Sequence, residues 1–186
     1  MEANKQYRPK VSREVAAFFA PEAPAAVPAW LADSLRRSEA TEAALRCPSG
    51  AQVYATEDAI GCAIPRGGGI PVRHGLQLSF WASGLLNSQR LYDRGLLRWW
   101  IDYHPSGGRS SVGFYADVEP GTHLEHGLQT SFAPSGHVVS QGWFWNGKRH
   151  GWSKLWEDDG FPIRATLFDD GREVGTVLPD GTRQKA

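Results

Sequence analysis

The chain has 186 residues, 20 of them basic and 20 acidic, with 41% hydrophobic and 22% charged residues. This is the composition of one globular domain with a small appendage, and its balanced charge gives no overall field to hold nucleic acid or an anionic membrane. No stretch approaches the roughly 18 apolar residues that cross a bilayer, and MEANKQYRPKVSREV lacks the apolar core of a secretory signal; a cytoplasmic chain is expected, with export only if a leader has been removed.

Residues 1–46 read as an N-terminal arm with helices. Residues 1–13 are polar, and SREVAAFFA (12–20) predicts a short helix with Ser12 as its cap. PEAPAAVP breaks regular structure between Pro21 and Pro28. A second helix is expected from Pro28, anchored by Trp30, Leu31, Leu35 and Leu45. Residues 47–73 predict a hairpin followed by a Gly-rich connector. Cys47 and Cys62 flank that hairpin. In an oxidising compartment a bond between them would add about 3 kcal/mol; in the cytoplasm both would be thiols. With no CxxC pair, a metal site is not expected.

From residue 74 the sequence repeats itself. HGLQLSFWASG (74–84) returns as HGLQTSFAPSG (126–136), identical at eight of eleven positions. Three units share a frame of lead Gly, a ring five residues on, Gly nine on, a ring seventeen on and Gly twenty on. They are Gly75/Phe80/Gly84/Tyr92/Gly95, Gly127/Phe132/Gly136/Phe144/Gly147 and Gly151/Trp156/Gly160/Phe168/Gly171. A degenerate unit framed on Arg98 keeps Tyr103, Gly107 and Tyr115, with its closing glycine delayed to Gly121, and a truncated piece ends at Gly181. Asn-Gly and Asp-Gly between segments signal tight hairpin turns, which need positive φ. Leu76, Leu78 and Phe80 alternate with polar residues, as a half-buried strand does. One hairpin of this size is marginal alone, so the hairpins are expected to stack. The lead glycine is expected to admit a close neighbour. The predicted fold is mainly β, an elongated antiparallel meander of β-hairpin repeats over 74–181, with a short α-helical N-terminal segment as cover.

The frame resembles the MORN-type repeat family, and more closely its bacterial variant with units of the form G-x-x-x-x-[YW]-x-x-x-G then G-x-[YW]-x-x-G. The resemblance covers 74–181. It implies a hairpin array serving protein interaction or scaffolding, and for some bacterial members an antitoxin-like role; eukaryotic relatives suggest peripheral lipid contact, which this neutral chain does not favour. Phe replaces Tyr at several frame positions, and residues 1–73 have no counterpart in the family.

Reactive-looking residues mostly fall on the frame. His126 in HLEH occupies the slot of His74 and His150, so a fold role outweighs metal binding. The acidic groups at 157–159 and 169–170 lie in predicted turns, no GxSxG elbow is present, and PRGGGIP lacks a phosphate-loop ending. No catalytic residue, metal or cofactor is therefore expected. GWFWNGKRHGW (142–152) stands apart. If Phe144 points into the core, Trp143 and Trp145 point out beside Lys148 and Arg149. These four, with Trp99, are the candidate partner-binding residues. The expected partner is another protein, with neither nucleic acid nor integral membrane association. A neutralising partner of a toxin and an aromatic cage for choline or a glycan are the alternatives.

Overall fold

The computed structural model describes residues 8–23, 45–117 and 123–185. The helix expected from Pro28 and the delayed Gly121 lie outside these residues. The described chain forms one helix, α1 (Arg13–Phe19), and thirteen strands: β1 (Gln52–Ala55), β2 (Ala59–Ile64), β3 (Val72–Phe80), β4 (Leu86–Asp93), β5 (Leu96–Tyr103), β6 (Arg109–Asp117), β7 (His123–Glu125), β8 (Gly127–Phe132), β9 (Val138–Trp145), β10 (Lys148–Trp156), β11 (Pro162–Asp169), β12 (Arg172–Val177) and β13 (Arg183–Lys185). They make one open antiparallel meander in sequence order, except that β7 pairs only with the far end of β6, and β8 takes the place beside β6.

Two turn designs alternate along it. Four-residue turns close the strands at Trp81–Gly84, His104–Gly107, Ala133–Gly136, Glu157–Gly160 and Leu178–Gly181. In each, the glycine N–H donates to the first residue's carbonyl at 2.8–2.9 Å. Two-residue turns at Arg94-Gly95, Asn146-Gly147 and Asp170-Gly171 hold positive φ at both positions, the twist that matches paired strands. Their glycines donate back to Arg73, Glu125 and Arg149 respectively, at 2.7–2.8 Å. Each acceptor lies two residues before a lead glycine. The lead glycines share positive φ, +100° at Gly75, +91° at Gly127 and +77° at Gly151. Close approach is not their common task. A Cβ would collide at Gly75 but meet nothing within 4 Å at Gly151.

Cross-strand register places one buried row across ten strands: Ile60, Leu78, Gln89, Ile101, Val112, Thr130, Gln141, Lys154, Ala165 and Val177. All ten are at most 9% exposed. Apart from Gln89, which donates to the Tyr103 hydroxyl, the first half of this row is apolar. There Ile60, Leu76, Leu78, Phe80, Trp99, Ile101, Tyr103 and Val112 pack with Leu45 in one cluster, each large side chain contributing about 1.5–3 kcal/mol by burial. The rings five residues beyond the lead position face inward: Phe80, Tyr103 and Trp156 are buried, and Phe132 packs against the core cluster.

The rings seventeen residues on face the other way. Tyr92, Phe144 and Phe168 each pair with a lead glycine, Gly75, Gly127 and Gly151. Neighbours along a strand alternate, so these rings are opposite to the residue five beyond that glycine. Phe144 is therefore half-buried on the outer face, not in the core. Arg73 lies over Tyr92, and Arg149 lies over both Phe144 and Phe168, at 5.3–6.0 Å from the centroids.

Residues 8–23 run over the inner face as a strap. α1 begins at Ser12, whose Oγ accepts from Val15 N–H, as its sequence predicts. Phe18 stands edge-on to Trp152, and Phe19 is buried with Ala165 and Val177. At the opposite end of the sheet Cys47 and Cys62 are joined in a disulfide. Such bonds persist in oxidising surroundings and are reduced to thiols in the cytoplasm. Within the described residues no helix is long and apolar enough to cross a membrane.

Candidate interaction surface

The residues singled out in the sequence separate into three groups. Trp99 is a correction: it is 7% exposed and belongs to the core cluster, because it shares strand parity with the inward Ile101 and Tyr103. Its neighbour Trp100 faces out, lies across Gly113 and tilts over Tyr115 at 5.1 Å. Lys148 and Arg149 are exposed but engaged. Lys148 Nζ donates to both carboxylate oxygens of Asp170, at 2.7 and 2.8 Å, and holds that carboxyl below its ordinary range. Arg149 occupies the same frame slot as Arg73, and both cover framework rings.

Trp143 and Trp145 remain, 43% and 60% exposed. They lie two apart on β9 and share the strap's face of the sheet. Both depart from the frame. Trp143 stands where the other units have Leu91 and Leu167. Trp145 stands where they have Asp93 and Asp169, each of which sits beside the framework histidine of its unit, His74 at 3.6 Å and His150 at 3.8 Å. In the middle unit Trp145 packs against His126 instead, at 4.5 Å. His123 stacks on Tyr115, so the two imidazoles of HLEH do not converge, and no metal-holding group of three or more His, Cys, Asp or Glu residues occurs among the described residues.

A second constellation escaped the sequence reading. Under the strap, Gln141 clasps the backbone of Glu22, accepting from its N–H at 2.8 Å and donating to its carbonyl at 2.7 Å. Gln141 also donates to Thr130. Lys154 Nζ donates to Phe18 O at 2.6 Å, and Trp156 Nε1 donates to Phe19 O at 3.1 Å. The Glu22 carboxylate accepts from Trp143 Nε1, 3.2 Å at its nearer oxygen. The signal was present at one position: Lys154 occupies a slot filled elsewhere by Leu78, Ile101 and Thr130.

Burial pushes the Lys154 pKa down, with only partial restoration by Glu22. The unfolded chain then binds the proton more tightly than the folded one. In the pH window between the lowered folded value and the ordinary 10.5, stability contributed by this site rises with pH. Lys154→Met should remove that dependence. Denaturant titrations of both proteins across this window check it; identical pH slopes would contradict the assignment.

By class, then, this is an open antiparallel meander with an internally strapped face and a tryptophan pair exposed on one hairpin. No protein-family model matches the sequence, and none of the curated proteins compared with it is similar enough to count as a relative.

Proposed function

We propose that this protein is a non-enzymatic interaction module, built on a MORN-like frame, that binds another protein through the β9–β10 hairpin. The observation that carries it is the exposure of Trp143 and Trp145, 43% and 60%, at two positions where equivalent units place Leu or Asp. Nothing in the frame requires an indole there, and exposed tryptophans are the residues that most often dominate protein interfaces. Lys148, opposite Trp145 on β10 and tied to Asp170, forms the polar border, whereas Arg149 lies with Phe144 on the other face of the sheet.

The aromatic-cage alternative is less well supported. Tyr92, Phe144 and Phe168 already carry the chain's own cations, Arg73 and Arg149, in the position a quaternary ammonium would take. Trp143 and Trp145 sit two residues apart on one strand, on one face of the sheet.

Wild type and Trp143→Ala/Trp145→Ala, compared as baits in extract from the source cell, test the proposal. A saturable partner recovered by wild type and reduced at least about tenfold by the double variant is expected, since two central aromatic anchors are each worth about 2 kcal/mol or more. Equal recovery by both baits, with both folded, would overturn it.

A further inference from the structure

Frame departures and strap contacts coincide on the inner face. Gln141, Lys154 and Trp156 are 3%, 9% and 5% exposed, yet their polar atoms are directed at the strap: both backbone groups of Glu22 and the carbonyls of Phe18 and Phe19. Burying an ammonium against neutral carbonyls costs free energy that an apolar residue would avoid. No carboxylate among the described residues lies within ion-pair distance of it, and the equivalent slots on β3 and β5 hold Leu78 and Ile101. If the strap served only to cover the sheet, Leu at 154 would do so at lower cost. The arrangement instead reads a peptide: four backbone hydrogen bonds fix its register, the Phe18 ring rests on Trp152, Phe19 packs with Ala165 and Val177, and Trp143 binds the acidic side chain at position 22.

We infer that the inner face of β9–β12 is a peptide-binding cradle, filled in cis by Phe18–Glu22, that accepts an extended Phe-Phe-x-x-Glu segment from another chain when its own is displaced. The ligand class is a peptide with two adjacent aromatic residues and an acid three positions after the second. The cradle shares Trp143 with the proposed partner surface, but its test varies only the strap, Gln141 and Lys154, so its failure and the failure of the partner proposal are distinguishable. Covalent attachment gives the native strap an effective concentration in the millimolar range, so the cis segment outcompetes free peptide unless it is weakened.

The test uses the full-length protein in three forms: wild type, Phe18→Ala/Phe19→Ala with the strap weakened, and that variant carrying Gln141→Ala and Lys154→Met as well. The probe is a fluorescein-labelled synthetic peptide with the sequence of residues 10–23, followed by anisotropy, with circular dichroism reporting the fold. The peptide is expected to bind the strap-weakened protein at least about 100-fold more tightly than wild type, and to lose that binding in the cradle variant. A strap-weakened protein that unfolds alone but regains its β spectrum with peptide would also bear the inference out. A folded strap-weakened protein that binds no peptide overturns it, as does an unfolded one that peptide fails to restore. Equal binding with and without Gln141 and Lys154 overturns it too.

Discussion

Gly75→Ala is expected to cost about 3–5 kcal/mol, and Gly151→Ala only about 1–2 kcal/mol, although the two glycines hold the same place in the frame. Both have positive φ, +100° and +77°, so both substitutions strain the backbone. They differ in what the new methyl meets. At Gly151 nothing lies within 4 Å. At Gly75 the methyl would stand 2.6 Å from Pro48 Cδ and 3.1 Å from Cys62 Cβ, and the disulfide restrains both neighbours. Overpacking of that kind adds about 1–3 kcal/mol to the strain. Urea denaturation with an unchanged m-value measures the difference. The excess at position 75 should shrink in a Pro48→Gly background, because the closest contact is then gone, while Gly151→Ala should be indifferent to that change. Equal losses at both glycines would mean that the contact with Pro48 is not as tight as described.

That contrast marks where the sequence was informative and where it was not. The turns were legible because only Gly and a few neighbours tolerate positive φ, so Asn146-Gly147 and Asp170-Gly171 announce themselves. The helix start at Ser12 was legible for a similar local reason, a side chain that caps the first turn. The two ring positions of each unit were also visible, but their faces were not. Which face Phe144 takes depends on its pairing with Gly127, and that register depends on how four-residue turns and bulges count residues. Spacing along one strand does not contain it. Trp99 is different: its parity with Tyr103, the ring of the Arg98 unit, was readable and places it inside. The cradle was illegible for a third reason. Gln141, Lys154 and Trp156 acquire their meaning from a segment more than 100 residues earlier, and no local pattern links Lys154 to Phe18. Only the oddity of a lysine in an apolar slot was on view.

Loss of the Cys47–Cys62 bond is expected to lower stability by about 3 kcal/mol, the chain-entropy value for a loop of this size. The bond closes a separation of 15 residues that contains β1, its turn and the start of β2. β1 is an edge strand of four residues, half-exposed, and among the described strands it pairs only with β2. Its hold on the sheet rests on its pairing with β2, on Val53 packing against the core cluster and on the nearby covalent tie. For a chain of this length the loss corresponds to a fall in melting temperature of about 10 °C. Wild type melted with and without a strong reductant should show that gap, and Cys47→Ser/Cys62→Ser should match the reduced protein in both buffers. Hydrogen exchange should locate the effect: amides of β1 and β2 accelerate, while those of β9–β11 keep their protection. Cys62 is fully buried, so native-state reduction should be slow and should follow local opening of β1 rather than reductant concentration at saturation. A wild-type melting point that ignores reductant, with both thiols shown by alkylation to be free, would show that edge packing alone retains β1.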